Sequence, residues 1–313
     1  MSKKLSLLSA VLAGAFVMAG SAQAAPLTLA GNYVKVGVND VGTFGSGGAT
    51  SPGLLHDPTG TGTFGINDYL TPGTPHDGFG VKSDQTGFIG NDNAFGGSGF
   101  GTAAPTLLVG PAALGYANAA TWSGGNSNLG ITNSYFFNPN DERVLVKTTI
   151  TAVTGLTNLK FVRSEDPDPD VNAHGTFDTR NQRGNNLFGA ADFIGSAGVV
   201  SGLFLGFVNN SGNTYTHNTL ISSSCCTTQD PDDVLAGGGA IFPAAPDVGD
   251  YGLNMAWLIG DLAAGDSATI SYYYVFGSRI DDGGGDKVPE PGMLSLLGLA
   301  LAGTAVARRR KTA

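Results

Sequence analysis

Hydrophobic and polar positions alternate with period two wherever the chain reads as regular structure. In a strand, side chains at i and i+2 share one face, so this alternation marks half-buried strands. Residues 33–38 read as a first strand. Between Asn39 and Gly130, Gly, Pro, Asn and Asp interrupt the chain every few residues. The apolar islands they leave, such as Gly65-Ile66, Tyr69-Leu70, Gly87-Phe88-Ile89 and residues 105–110, predict short strands joined by tight turns. The pattern is clearest after that. Residues 132–137 run into the turn Asn138-Pro139-Asn140-Asp141, and residues 143–153 then place Val144, Val146, Thr148 and Ile150 on one face, which predicts a hairpin. A turn at Thr154-Gly155-Leu156 leads into a strand over 159–163, and the apolar stretch 199–208 predicts one or two central strands. Residues 254–259 and 268–276 flank a polar turn, Asp261 to Asp266, and predict a second hairpin with Ile270, Tyr272, Tyr274 and Phe276 on one face. No fixed-period repeat is evident. Many short strands with turn signals between them predict an all-β fold, an antiparallel β-sandwich with long Gly-rich loops.

The two ends break this pattern. Lys3 and Lys4 precede an apolar stretch over 5–20, and Ala22-Gln23-Ala24 supplies the small-x-small cleavage pattern of a secretory signal peptide, with cleavage expected after Ala24 or, next, Ala25. At the other end Val288, Pro289, Glu290, Pro291 and Gly292 lead into an apolar run over 293–307, closed by Arg308, Arg309, Arg310 and Lys311. Fifteen helical residues span roughly 22 Å, short of a hydrocarbon core of about 30 Å. The basic stop stays on the cytoplasmic side, so the preceding chain lies outside the inner membrane. An N-terminal signal helix and a C-terminal hydrophobic helix are expected, the latter a transient insertion in the inner membrane.

The polar Pro289-Glu290-Pro291 turn, the apolar stretch and the arginine cluster together resemble the PEP-CTERM sorting signal of Gram-negative bacteria. That resemblance implies processing by an exosortase-type protease, then delivery to the cell surface or release. The order of segments also resembles the β-rich ectodomain of PEP-CTERM proteins, on Thr71-Pro72-Gly73-Thr74-Pro75, residues 163–170 and residues 262–274. This second resemblance brings no activity with it. The expected organisation is a signal peptide over 1–24, a β-sandwich ectodomain over 25–280, an acidic Gly-rich linker over 281–287 and the sorting signal over 288–313.

Composition sharpens the picture of the exported part. The chain has 25 acidic and 16 basic residues, a formal net charge of −9. Lys3, Lys4 and the four basic residues of the tail lie outside the ectodomain, while every acid lies between Ala25 and Glu290, so the processed protein is more acidic still. That balance excludes binding to nucleic-acid backbones and favours solubility or cation binding. All the acids except Glu142, Glu165 and Glu290 are aspartates, which favour turns, and 49 glycines add to the expectation of little helix.

The densest acidic cluster is Glu165-Asp166-Pro167-Asp168-Pro169-Asp170. In an extended, Pro-braced segment Asp166, Asp168 and Asp170 fall on one side, and hard carboxylate oxygens suit Ca²⁺. Val171 and Phe177 stand where a calcium loop needs Gly and a bidentate Glu, so this is no EF-hand. The competing reading is an acidic turn paired with Arg163 or Arg180. Cys225 and Cys226 are the only cysteines. They could form a vicinal disulfide that stiffens residues 222–233, bond to other chains, or act in redox chemistry. His56, His76, His174 and His217 form no metalloprotease pattern; His56-Asp57 and His76-Asp77, each followed by turn residues, could converge in space, but as loop histidines these two are expected in solvent. Residues 96–101 have the glycines of a phosphate loop without its Lys, and read as a plain loop. Among Trp122, Tyr135, Phe136, Phe137, Trp257, Tyr272, Tyr273 and Tyr274, a sugar-stacking platform competes with ordinary sheet packing, and Tyr273 is the expected outward-facing member.

The leading expectation is an exported, non-enzymatic surface or extracellular-matrix protein, structural or adhesive in exopolysaccharide or biofilm, with no cofactor required. A carbohydrate-binding module, with or without calcium, is the first alternative. A glycan-active enzyme with paired carboxylates is the second.

Overall fold

A computed structural model describes residues 26–45, 51–70, 76–93 and 99–282. The fold is antiparallel β throughout, in three sheets. A small sheet is formed by β1 (Leu27–Ala30), β2 (Val34–Val38) and β3 (Leu54–His56). The five-stranded sheet contains β4 (His76–Ser83) and β5 (Gly87–Asp92), together with β10 (Leu156–Asp166), β14 (Thr216–Ser222) and β16 (Gly252–Leu262), in the order β14-β16-β10-β4-β5. The nine-stranded sheet holds β6 (Thr106–Leu107), β7 (Asn118–Gly125), β8 (Leu129–Phe137), β9 (Arg143–Ala152), β11 (Thr179–Arg183), β12 (Phe193–Gly198), β13 (Phe204–Asn209), β15 (Asp247–Gly249) and β17 (Ser267–Gly277). Its order is β15-β11-β12-β13-β17-β9-β8-β7-β6. Two short helices, α1 (Val171–His174) and α2 (Pro231–Ala236), are the only α-helices among the described residues.

Alternation decides which face is buried. In β8, Leu129, Ile131, Asn133, Tyr135 and Phe137 point inward. In β9 the inward set is Val144, Val146, Thr148, Ile150 and Ala152, and in β17 it is Ile270, Tyr272, Tyr274 and Phe276. The register places Tyr272 opposite Val146, and Tyr274 opposite Val144. Facing them from the five-stranded sheet are Phe79 and Val81 of β4, Leu159 and Phe161 of β10, and Leu253, Met255 and Trp257 of β16. All belong to one continuous core, which the small sheet joins through Val34, Val36, Val38 and Leu54. Side chains of this size each contribute about 1.5–3 kcal/mol when fully buried.

The hairpin at residues 138–141 forms as its sequence predicts, joining β8 to β9. The expected hairpin around Asp261 does not. β16 pairs with β10 and β14, whereas β17 pairs with β13 and β9, so the chain crosses from one sheet to the other at residues 263–266. Period-two patterns state which side chains go inside and are silent on which edges pair. The apolar stretch 199–208 also divides: β12 ends at Gly198, a turn carries Ser201 and Gly202, and β13 begins at Phe204.

The outer face of the five-stranded sheet is covered. Val162 and Ala256 pack against Val234 of α2, and the Gln229 backbone N–H donates to Ser164 Oγ. Gly78 makes this close approach feasible, because a Cβ there would lie 2.1 Å from Thr228 Oγ1. No helix among the described residues is long and apolar enough to cross a membrane. The signal peptide, its cleavage residues Ala24 and Ala25, the sorting motif and the basic stop lie outside the described residues.

Candidate functional site

One end of β10 gathers a concentration of buried charge among the described residues. Residues 159, 161, 163 and 165 face the core, and the last two are Arg163 and Glu165. Arg163 sits between Phe79 and Met255 in register, and Glu165 sits between Asp77 and Leu253. Two carboxyls opposite one another on adjacent strands repel, and the arginine one row away compensates one of them. Arg163 and Asp77 are fully buried. The Arg163 guanidinium donates to Asp77 Oδ2 and to Tyr274 Oη, and Tyr274 donates to Asp77 Oδ1 at 2.6 Å. The Phe44 backbone N–H donates to Asp77 at 2.6 Å. Phe44, Phe79 and Tyr274 present their rings to the guanidinium at 5.8, 5.7 and 5.4 Å, within cation–π range. Burial pushes the Asp77 carboxyl up, and Arg163 with these hydrogen bonds opposes the push. Glu165 has neither oxygen hydrogen-bonded, and burial followed by the Asp77 charge lifts it well above the usual carboxylate range.

Arg163 therefore answers Asp77, and not the acidic turn that follows it in sequence. Arg180 forms no ion pair with that turn either.

Beyond the knot, three carboxyl groups lie together without a cationic partner. Asp166, Asp168 and Asp250 bring one oxygen each to within 4.8 Å of one another. Asp166 and Asp168 are buried, and Asp250 is half-buried. Asp168 Oδ1 and Asp250 Oδ1 have no hydrogen-bond partner. No described lysine, arginine or histidine pairs with any of the three. Burial, then Asp250, pushes Asp166 up to about 7; burial, then Asp166 and Asp250, pushes Asp168 up to about 9.

The trio differs from the sequence expectation in one member. Asp170 does not share a cluster with Asp166 and Asp168, because the chain turns into α1 there. Its carboxylate instead accepts from the Val200 and Ser201 backbone N–H groups at 2.7 and 3.2 Å. Asp250, remote in sequence and adjacent to the start of β16, takes its place. The only hint of it in the sequence is the acidic pair Asp247 and Asp250 ahead of an apolar strand.

Cys225 and Cys226 are joined in a disulfide. Cys226 Sγ lies 3.5 Å from Asp166 Oδ2. A disulfide sulfur carries no proton to donate, so this is contact without a hydrogen bond. The bridge therefore lies against Asp166, one member of the acidic trio.

The histidines depart from expectation. His56 is buried, with Nδ1 2.9 Å from Tyr69 Oη and Nε2 2.8 Å from Glu142. His76 is buried too, and burial followed by Arg163 lowers it to about 3, so it is neutral. His217 pairs with Asp192 at 2.8 Å, and His174 is exposed. The aromatic residues settle inward. Trp122, Tyr135, Phe136, Phe137, Trp257, Tyr272 and Tyr274 are buried. Tyr273 is half-buried on the opposite face of β17, with the Arg143 guanidinium 4.5 Å from its ring centroid. These eight residues form no exposed stacking surface.

A search of curated protein sequences finds no match. Among solved structures, the chain is similar to heparan sulfate lyase HepC from Pedobacter heparinus, at 9% identity and a TM-score of 0.38, over 84% of this chain and 37% of that one. It is similar to the GH36 α-galactosidase AgaA from Geobacillus stearothermophilus at 11% identity and a TM-score of 0.35, over 82% and 41% of the two chains. Heparinase III is matched at 8% identity and a TM-score of 0.32, over 65% and 24%. The chain spans less than half the length of each. Residues 287–311 match the family described as the PEP-CTERM protein-sorting motif. The chain thus ends in a PEP-CTERM sorting signal, the mark of a protein exported and sorted by an exosortase-type system to a surface or extracellular destination.

Proposed function

We propose that the all-β domain is a non-enzymatic structural or adhesive component of the cell surface or extracellular matrix, held in the inner membrane by its apolar tail only until the tail is processed, and associated with extracellular polysaccharide. The observation that carries this reading is the sorting signal at residues 287–311, which follows the last core strand, ending at Gly277, after a short connecting segment. Supporting it, the buried acids in the sandwich serve the core. Asp77 is occupied by Arg163 and Tyr274, and Glu165 is buried without a partner. Polysaccharide contact then falls to polar edges and loops, since the large aromatic side chains are committed to packing.

Deletion of residues 288–313 in the producing cell tests the sorting step. The shortened protein is expected to be exported but not delivered to the surface. Unchanged surface delivery overturns the reading. Co-sedimentation of the full chain with the cell's own exopolysaccharide tests the second step, and release of reducing sugar from that polymer would replace the adhesive role with an enzymatic one.

A further inference from the structure

We propose that Asp166, Asp168 and Asp250 form a calcium site that fastens the disulfide-bridged segment 222–230 to the end of the five-stranded sheet. This goes beyond the sorting and matrix roles and does not depend on them.

The geometry has the form of a cation site in three respects. First, three carboxyl groups converge within 4.8 Å without a cationic side chain among them, an arrangement that is costly whenever all three are ionised and desolvated. Second, Asp168 is 2% exposed and its Oδ1 has no partner. A buried ionisable oxygen without a partner is costly, and this one belongs to a side chain whose carboxylate reaches into the cluster. Its backbone N–H is pinned to the Tyr69 carbonyl at 2.7 Å, and prolines at 167 and 169 brace it on either side, so it cannot readily swing out. Third, backbone oxygens gather around Gly252, close in sequence to Asp250. A Cβ on Gly252 would meet the carbonyl oxygens of Cys225, Ser224 and Glu165 at 2.9, 3.2 and 3.6 Å. The absence of a side chain at 252 keeps this wall of oxygen atoms intact, two residues from Asp250.

The donor chemistry selects the ion. Carboxylate and carbonyl oxygens are hard ligands. The cluster formed by Asp166 with Cys225 and Cys226 would suit a softer metal only with thiolates, and both sulfurs are tied up in the disulfide. Ca²⁺ accepts six to eight oxygens in irregular arrangements, whereas Mg²⁺ demands a near-ideal octahedron and retains its water. Ligands from two remote segments, one Pro-braced and one at a strand entrance, match the more tolerant ion. A bound ion would join residues 166–168 of β10 and its extension, residue 250 ahead of β16, and the disulfide-bridged segment against Asp166.

The test uses the full chain in mild detergent, stripped with EDTA and titrated with CaCl₂ at pH 8, with MgCl₂ in parallel. Calcium at a hundredfold excess over Kd is expected to raise Tm by about 5–10 °C, and magnesium much less. Asp168→Asn and Asp250→Asn are expected to weaken calcium binding at least about tenfold, since each removes one of three charges. Terbium luminescence reads occupancy independently of stability, and Asp250→Asn, at the half-buried position, keeps the test valid if the Asp168 variant folds poorly. No calcium-dependent shift or terbium signal up to millimolar ion overturns the proposal. So does a shift that both variants retain, or Zn²⁺ binding that appears only after reduction of the disulfide and is accompanied by no calcium binding before it.

Discussion

Asp77 and Asp168 are both buried aspartates at the same end of the five-stranded sheet, and they solve the same problem in opposite ways. Asp77 meets a guanidinium, a phenol and a backbone N–H inside the core, so its charge is answered by the chain itself. Asp168 meets two more aspartates and no cation from the chain. The difference follows from position. Asp77 lies in the inward row of β4, one register step from the inward Arg163 of β10. Asp166 falls in the outward row, and Asp168 lies just past the strand end, away from Arg163. A buried charge answered from within holds the fold in all conditions, whereas one left to solvent makes the fold depend on what the solvent contains.

Removing the internal answer gives the largest effect. Arg163→Met is expected to cost about 3–5 kcal/mol in urea unfolding, the range for breaking a buried pair from one side. Adding Asp77→Leu should recover much of it, because the orphaned charge is then gone. A loss from Arg163→Met below about 1 kcal/mol would show that the knot is decorative and erase the contrast with Asp168.

Next is the pH response of the protein in EDTA. Aspartate in an unfolded chain ionises near 3.9, and folding raises Asp166 to about 7 and Asp168 to about 9. For acids shifted upward, the folded state binds protons that the unfolded state has released. The destabilisation is therefore absent below about pH 4 and builds as pH rises, for Asp166 until about 7 and for Asp168 until about 9. Stability is expected to fall by a few kcal/mol between pH 5 and pH 9, with Asp168→Asn flattening the slope. A profile that rises over this window would break the comparison.

A smaller effect is expected at the bridge. A disulfide between neighbouring residues closes almost no loop, so Cys225→Ser with Cys226→Ser should cost well under the roughly 3 kcal/mol of a 15-residue loop. The smallest concerns Tyr273 and Arg143 on the outer face of the large sheet, where Tyr273→Leu should lose about 0.5–1 kcal/mol of cation–π stabilisation. Thermal melts of each variant beside the parent check both.

The alternation of residues 143–153 and 268–276 was enough to name the inward sets of β9 and β17, since burial of one face leaves period two no other meaning. The same alternation misplaced residues 254–276 as a hairpin, because a polar turn such as Asp261 to Asp266 can reverse a chain within a sheet or carry it across to the facing one. The acidic cluster was visible as a run of carboxyls at 165–170, but its working members were not. Strand ends and helix starts cut through that run, so Glu165 turns inward, Asp170 bonds the 200–201 backbone, and the third carboxylate of the trio comes from residue 250. Nothing local marked Asp77 as the partner of Arg163. That pairing comes from strand order, which emerges only when distant segments meet. His56 and His76 lie in strands instead of loops for a related reason: a His-Asp pair beside turn residues gives no sign that a strand ends or begins on it.

The bond from Tyr274 to Asp77 spans 197 residues. A chain threaded across a membrane from its N-terminus delivers Asp77 early and Tyr274 almost last, so the polar knot stays open through most of the passage. β17, which also fills the centre of the nine-stranded sheet between β13 and β9, arrives with Tyr274. Without β17 the two halves of that sheet have no common neighbour. β17 ends at Gly277 and the sorting motif begins at residue 287. The strand that completes the nine-stranded sheet and the signal that directs the protein are therefore neighbours along the chain.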